Sequence, residues 1–514
     1  MGSASVKRMV CHSPFQRNAF KMKGSERKYL CSIMGLGILL RILLINSRSI
    51  QYDDAFSILL SARSLGEIVT GTAADTMPPL YYFLLHFWMM VSEKLWWLRL
   101  LSVILNMGSI VLLYSLTSQL LGTRSALWAA FLAAISPIQI YHAQDLRMYA
   151  LLAFWQMAYL CFFGKIWLHH SSEKKISPWL WVGLAMSGAL AMYCHNLAGF
   201  IIIAPNIFLL IKRKWQLLLK LCIAQAAIAL LAAPWLLMVP GQVEKIQGAF
   251  WTPRPGLVEV LQALVLFTAS LPLPGIWFVI ALVLSLYILV IVILELARMK
   301  ADRERILLLS VMGLTPPVLL FVLSYVMRPV FVPRGFLISG FLYAGLAGHV
   351  IAQGWEKKIG IFVMASFVAA CLISLPYQQT FRQFPRSPFA EAVAMLQEEM
   401  QPGDRLIHDN KLSAFPFLVY APDIEQEFIA DEAGSHNDTL AYASQEAMQR
   451  FPAANIGLAA DGAERVYFVV FMQAIEEYAV LQGRAHPQLA WLEAHYQQTA
   501  VKVFNDLEVY RFER

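Results

Sequence analysis

Residues 29–57 read YLCSIMGLGILLRILLINSRSIQYDDAFS. The segment Tyr29–Asn46 is an apolar run at the lower end of the ~18–20 residues that cross a bilayer. Seven basic residues precede it: Lys7, Arg8, Arg17, Lys21, Lys23, Arg27 and Lys28. The run is longer than a signal-peptide core, and no small-residue cleavage site follows it. It therefore reads as an uncleaved signal anchor with residues 1–28 as a basic cytoplasmic tail. An acidic pair, Asp53-Asp54, stands just beyond it. Two carboxylates at a membrane surface are costly unless they are solvated or used.

The rest of the chain agrees with a membrane setting. Of 514 residues, 58% are hydrophobic and 15% charged, against roughly 45–50% and about 25% in soluble domains. The net charge of +7 conceals a split. Residues 1–379 hold 31 Lys and Arg against 14 Asp and Glu, whereas residues 380–514 hold 10 against 20. The basic excess thus flanks membrane segments. No motif points to a nucleic-acid partner. Six cysteines form no CxxC pair or zinc-like cluster, and none lies in 380–514.

Spanning helices are expected near Tyr29–Asn46, Leu98–Thr117, Arg124–Tyr141, Met148–Leu168, Pro178–Tyr193, Leu197–Ile211, Trp215–Met238, Ile276–Ala297, Ile306–Met327, Gly335–Val350 and Ile359–Leu375. Leu80–Val91 and Gly256–Leu271 are short or proline-bounded and read as interfacial or re-entrant helices. Parity supports that choice. With eleven spans, 19 basic residues fall in the tail and inside loops and 8 in the short outside loops, as the positive-inside rule requires. Residues 29–379 then form a polytopic region, and residues 380–514 lie outside as a small soluble α/β domain. In that domain Pro388–Met400 reads as a helix and Pro402-Gly403-Asp404 as a turn. Arg465–Phe471 reads as a buried strand, and Thr499–Phe504 with Leu507–Phe512 as a hairpin around Asn505-Asp506.

The same threading gathers the unusual polar residues on one face. The first outer loop, 47–97, carries Asp53, Asp54 and Asp75. The second reads Tyr141-His142-Ala143-Gln144-Asp145-Leu146-Arg147. The third carries His195-Asn196, the fourth Lys245, Trp251 and Arg254, and the fifth runs from Arg328 to Arg334. Each has a structural alternative. An acid of the first pair could cap the helix that follows. Asp145 and Arg147 could be an interfacial ion pair of little worth. His195 could be a packed interfacial ring, and Arg328 and Arg334 helix-end anchors. Together, however, acids beside arginines suit group transfer from an anionic lipid phosphate.

Several stretches now carry a resemblance. They are Arg41, Asp53–Ser57 (DDAFS), Met77–Tyr82 (MPPLYY), Trp97–Ser102 (WLRLLS), Tyr141–Tyr149 (YHAQDLRMY), Tyr193–Asn196 (YCHN) and Arg328–Leu337 (RPVFVPRGFL). In these the chain resembles the polytopic GT-C glycosyltransferases. It is most similar to the bacterial branch of glycosyltransferase family 39, which is related to protein O-mannosyltransferases and to the aminoarabinose transferases of lipid A. It departs from them at Asp54, where Glu is usual, at Thr76-Met77, where His or Glu-Lys precedes the prolines, and at Gly335, where Tyr is common.

The resemblance implies a GT-C architecture of about 11 spans plus interfacial helices. It also implies inverting transfer of a sugar from a polyprenyl- or dolichyl-phosphate donor to an acceptor outside the cytoplasm, be it protein, lipid or glycan. On that reading Asp53 is the general base, a role that a modestly raised pKa would suit. Asp54 and Asp145 orient acceptor or sugar, and Arg147, Arg328 and Arg334 stabilise the departing phosphate. His195, Gln144, Tyr141 and Trp251 are further cavity candidates, with Trp251 in a loop that could exclude water. A divalent cation, Mg²⁺ or Mn²⁺, stays open. Two rivals are a transporter of lipid-linked sugars, which should place its polar groups at mid-membrane on broken helices, and a membrane-anchored binding protein that works through 380–514.

Overall fold

The computed structural model describes residues 24–248, 254–327, 329–383, 386–431 and 440–514. The chain enters through α1 (Gly24–Ile42). The first loop then folds into three ten-residue helices, α2 (Tyr52–Ser61), α3 (Leu65–Ala74) and α4 (Leu80–Met89). The bundle continues with α5 (Leu95–Leu121), α6 (Thr123–Ile135), α7 (Pro137–Ala143), α8 (Tyr149–Ser171), α9 (Pro178–Met192), α10 (Ala198–Ile211) and α11 (Trp215–Leu236). It is completed by α12 (Val239–Gly248), α13 (Leu257–Leu266), α14 (Gly275–Arg298), α15 (Arg303–Val326), α16 (Leu337–Gly354) and α17 (Ile359–Thr380).

Among the described residues, seven helices are long and apolar enough to cross a membrane, and an eighth span arises if α6 and α7 are counted as one. The other three expected spans fall on α1, α9 and α10, of which α9 and α10 are shorter at 15 and 14 residues. One expectation needs correcting. Arg124–Tyr141 is not a straight helix but breaks by 61° between α6 and α7. Pro137 opens α7, and a proline ring cannot continue the preceding helix. Leu80–Val91 and Gly256–Leu271 shrink to the short helices α4 and α13, too brief to span.

Burial sorts the helices. The apolar window of α16 is wholly buried, while those of α14 and α11 are 22% and 28% buried. Their outward Val290, Ile293 and Leu230 are exposed, as lipid-facing side chains are. The axis of α16 lies close to α6. A Cβ on Gly348 would sit 2.5 Å from the Ala129 nitrogen, so only glycine permits that approach. Arg41, fully buried at the end of α1, donates to Asn106 Oδ1 (2.9 Å) and to the carbonyls of Ala134 (2.8 Å) and Ala133 (3.2 Å). These are carbonyls at the C-terminal end of α6, left without helical partners by the break.

Residues after α17 form a mixed sheet of order β2-β1-β3-β5-β4, from β1 (Arg405–His408), β2 (Gln426–Phe428), β3 (Arg465–Phe471), β4 (Gln497–Phe504) and β5 (Leu507–Glu513). The first three pair in parallel, and β3-β5-β4 is antiparallel. The helices are α18 (Phe389–Glu399), α19 (Lys411–Tyr420), α20 (Tyr442–Met448), α21 (Ile456–Ala459), α22 (Met472–Leu481) and α23 (Pro487–His495). Central β3, RVYFVVF, is buried against a cluster on each face. The expected helix, strand and hairpin all form. Helices α19 and α20 of this domain also dock on the first loop. Tyr52 packs on Phe415 with ring centroids 5.2 Å apart. The Tyr420 hydroxyl accepts from the Ile50 N–H (2.8 Å), and Ser444 Oγ donates to the Gly71 carbonyl (3.1 Å).

Candidate active site

Asp53 and Asp54 fall in the first turn of α2, where the positive end of the helix favours carboxylates. One turn of helix gives them opposite fates. Asp54 is buried. Its Oδ2 accepts from the Gln51 N–H (3.4 Å) and its Oδ1 from the Leu146 N–H (2.9 Å). The capping alternative therefore describes Asp54. This carboxylate fastens the α7–α8 loop to the start of α2, and its hydrogen bonds are to backbone. Asp53 keeps 41% of its side chain exposed. Its Oδ2 accepts from Arg334 Nη1 at 3.2 Å, and its Oδ1 lies 3.9 Å from Arg147 Nη2.

The α7–α8 loop is held from several sides. Ser102 Oγ donates to the Asp145 carbonyl (2.7 Å), Gln144 Nε2 to the Arg41 carbonyl (2.8 Å) and Arg48 Nη2 to the Gln144 carbonyl (3.1 Å). Asp145 itself is gripped by Arg48 (2.5 Å) and by His142 Nδ1 (2.8 Å). Its place is thus behind the site, where it steadies Arg48 and His142. Tyr141 has two guanidinium groups over its ring, Arg48 at 4.3 Å and Arg386 at 4.4 Å from its centre. Arg147, almost fully buried, reaches back toward α2, near the Asp53 carbonyl (3.4 Å) and Ser57 Oγ (3.5 Å).

His195, buried between α9 and α10, packs near Tyr149 (5.9 Å), and the Arg334 guanidinium lies 5.7 Å from the centre of that same Tyr149 ring. Its Nδ1 accepts from the Leu197 N–H (3.1 Å), so the proton of the neutral ring sits on Nε2. Asn196 ties the neighbouring segments together, donating to Gln242 Oε1 (3.0 Å) and accepting from Trp235 Nε1 (2.9 Å). Arg328 and Trp251 lie outside the described residues.

The electrostatics follow from these partners. Burial raises the Asp53 carboxyl, but Arg147 and Arg334 outweigh it and leave the group below its ordinary value. The shift is thus opposite to the modest rise that would suit a general base, because two cations face this acid. Burial holds Asp54 above its ordinary value despite Arg48, and Asp145 opposes its ionisation further. Burial likewise works against ionised Asp145, but Arg48 and His142 carry it far below. Burial, then Arg147 and Arg334, push His195 down to about 3, so the ring is neutral.

The site thus joins Asp53, Arg147, Arg334 and His195, while Asp54, Asp145, Gln144 and Tyr141 brace the loop behind them. Sequence reasoning missed Arg48 and Arg386. Arg48 carried a signal, being an arginine in the first outer loop, against the inside bias. Arg386 follows the last span and carried none. Among the described residues no three His, Cys, Asp or Glu side chains come together to hold a divalent ion, and Asp54 and Asp145 are engaged by backbone and by Arg48.

A helical bundle with interfacial first-loop helices, an acid–arginine cluster at one end and a sheet domain after the last helix is the architecture of the GT-C membrane glycosyltransferases. Residues 76–238 match the family model described as dolichyl-phosphate-mannose-protein mannosyltransferase. The structure is similar to apo ArnT from Cupriavidus metallidurans, with a TM-score of 0.64 at 12% identity over 95% of this chain and 98% of that one. ArnT bound to undecaprenyl phosphate gives 0.60 at 10% identity over 94% and 98%. The Archaeoglobus fulgidus oligosaccharyltransferase tethered with an acceptor peptide gives 0.55 at 14% identity over 95% and 74%. No curated protein sequence matches the chain. The chain is an integral membrane protein with the fold of these glycosyltransferases, and its residues 76–238 are similar to the mannosyltransferase family.

Proposed function

We propose that the enzyme moves a sugar from a polyprenyl-phosphate donor to an acceptor hydroxyl on the extracytoplasmic face, with inversion at the anomeric carbon. The observation that carries this is the Asp53–Arg147–Arg334 cluster, an acid with an open face between two guanidinium groups. ArnT has been crystallised with undecaprenyl phosphate and a related archaeal enzyme with dolichol-phosphate, which supports a lipid phosphate as the donor's leaving group.

Asp53 takes the proton of the acceptor hydroxyl as its oxygen attacks the anomeric carbon. The bond from that carbon to the phosphate oxygen breaks, and the electron pair leaves with the lipid phosphate. Arg334 and Arg147 meet the charge that develops there, in fixed positions and with little reorganisation. The neutral His195 offers its Nε2–H to a sugar or acceptor oxygen. In the free enzyme the two arginines make Asp53 a weak base. A bound phosphate shares their charge, so the carboxylate becomes more basic when the donor is in place. Asp54 and Asp145 hold the α7–α8 loop so that Arg147 reaches the site.

The D53N variant tests the reading. It should express and melt like the parent, yet lose transfer by at least ~100-fold, the low end for a general base. Transfer is measured by chromatography of acceptor glycosides made from a radiolabelled lipid-phosphate sugar. Parent-like turnover in D53N removes Asp53 from the mechanism.

A further inference from the structure

A cavity of about 550 Å³ opens between the C-terminal end of α8, the loop after it and the starts of α9 and α11. It lies far from the acid–arginine cluster. Tyr149, the first residue of α8, packs beside Arg334 and His195, and the cavity begins at His170 in the last turn of that 23-residue helix. At ~1.5 Å per residue the separation is roughly 32 Å, close to the ~30 Å hydrocarbon core. The cavity therefore sits at the opposite membrane interface, apart from the candidate active site.

Its lining is basic. Lys174, Lys175 and Lys220 face it with His170, against one acid, Glu173. The three lysines are exposed, and the ion pairs among the described residues do not include them. Lys220 is the informative one. It stands in the second turn of α11, between Leu219 (65% exposed) and Ile223 (64% exposed), on a helix that faces lipid. An ammonium group at the hydrocarbon edge is costly unless it snorkels to an anion or to water. Trp181 closes the cavity from α9, at the level where indole rings favour the headgroup region. The volume suits a headgroup.

We propose that this cavity binds the phosphodiester headgroup of an anionic phospholipid in the leaflet opposite the active site. The three ammonium groups meet the phosphate as point charges. The acyl chains run along the apolar flank of α11, past Ile223. Free phosphate would satisfy the lysines but would leave the lipid-facing side of the cavity uncovered.

The test uses the full chain in bilayers of phosphatidylcholine mixed equally with phosphatidylglycerol, followed by native mass spectrometry of the released protein. The parent should keep phosphatidylglycerol. The triple variant K174Q/K175Q/K220Q should keep it about tenfold less or lower still, given the attraction of each basic residue to anionic lipid. The control K212Q/R213Q/K214Q, altered at the same interface outside the cavity, should keep it as the parent does. Equal retention in the cavity variant overturns the proposal, and so does an equal loss in the control, which would mean unspecific charge. Excess inorganic phosphate should leave retention unchanged; displacement would make this a free-anion site and refute the lipid assignment. The charge-preserving K174R/K175R/K220R should retain the lipid, and its failure to do so would assign the effect to packing and sink the idea.

Discussion

At the scale of single residues, Arg334 is the most informative side chain after Asp53, because it touches both the proposed base and the expected path of the phosphate. Its guanidinium lies 3.2 Å from Asp53 and holds that carboxyl below its ordinary value together with Arg147. Removing Arg334 takes away a charge that stabilises the carboxylate, so the Asp53 pKa must rise. A base works only when deprotonated, and the acid limb of kcat/KM reports the free enzyme. In R334A that limb should therefore move to higher pH. The donor KM should rise roughly 10- to 100-fold, the worth of one hydrogen bond to a charged group. A pH–rate series with varied donor measures both, and an unmoved limb with an unchanged KM would return Arg334 to a helix-end anchor. The acid pair, the loop motif and Arg334 stand out in the sequence as polar groups of the outer loops, and the structure brings Asp53, Arg147 and Arg334 together. Which acid stays open does not stand out. Asp54 is consumed by the N–H of Leu146, 92 positions away, and Asp145 by Arg48, 97 positions away. No local pattern encodes either partnership. The direction of the Asp53 shift is hidden for the same reason, since the two cations that face it come from distant loops.

At the scale of elements, the first loop acts as the seat for the sheet domain. Along α3, Gly71 lets α20 approach. A Cβ there would lie 2.7 Å from a Leu60 methyl and 3.2 Å from the Ala447 Cβ. Leu60 is wholly buried, and Ala447 belongs to the same core as the membrane helices. In G71L one of them must move, at the ~1–3 kcal/mol typical of overpacking. The mobile partner is α20, because Leu60 is locked in α2 beneath the site. G71L should thus loosen the sheet domain first. Limited proteolysis near 381–383 should accelerate at temperatures where the bundle still resists, and a parent-like cleavage rate would show that α3 and α20 do not govern docking. The elements divide by length in how readily they are read. Long apolar helices and the seven-residue RVYFVVF strand stand out by run length alone. The four-residue β1 and three-residue β2 carry too few residues for a period. The α6–α7 break escaped because hydropathy continues across Ser136-Pro137 while the helix axis does not.

At the scale of the molecule, docking fixes a relation that charge counting alone only suggests. The sheet domain touches α2 and α3 through Tyr52–Phe415, Ile50–Tyr420 and Gly71–Ser444, and Asp53 stands on α2. The domain and the site therefore share one side of the membrane. The chain leaves α1 toward that side, and α17 returns to it, so the number of crossings between residues 24 and 380 is odd. Eleven spans satisfy this, as does no even count. Contacts give the parity but not the sign, which comes from the basic residues. The opposite end of the bundle carries Arg124, Lys174-Lys175, Lys212–Lys214, Arg298, Lys300, Arg303, Arg305 and Lys357-Lys358. By the positive-inside rule that end is expected to be cytoplasmic. A reporter fused after Arg514 that is active only outside the cytoplasm should then give signal, and the same reporter placed in the loop between Glu173 and Ile176 should stay silent. Two signals, or two silences, would break the parity. An exchange of the two would keep the parity and invert the sign, which would place the acceptor, and the transfer itself, on the cytoplasmic face.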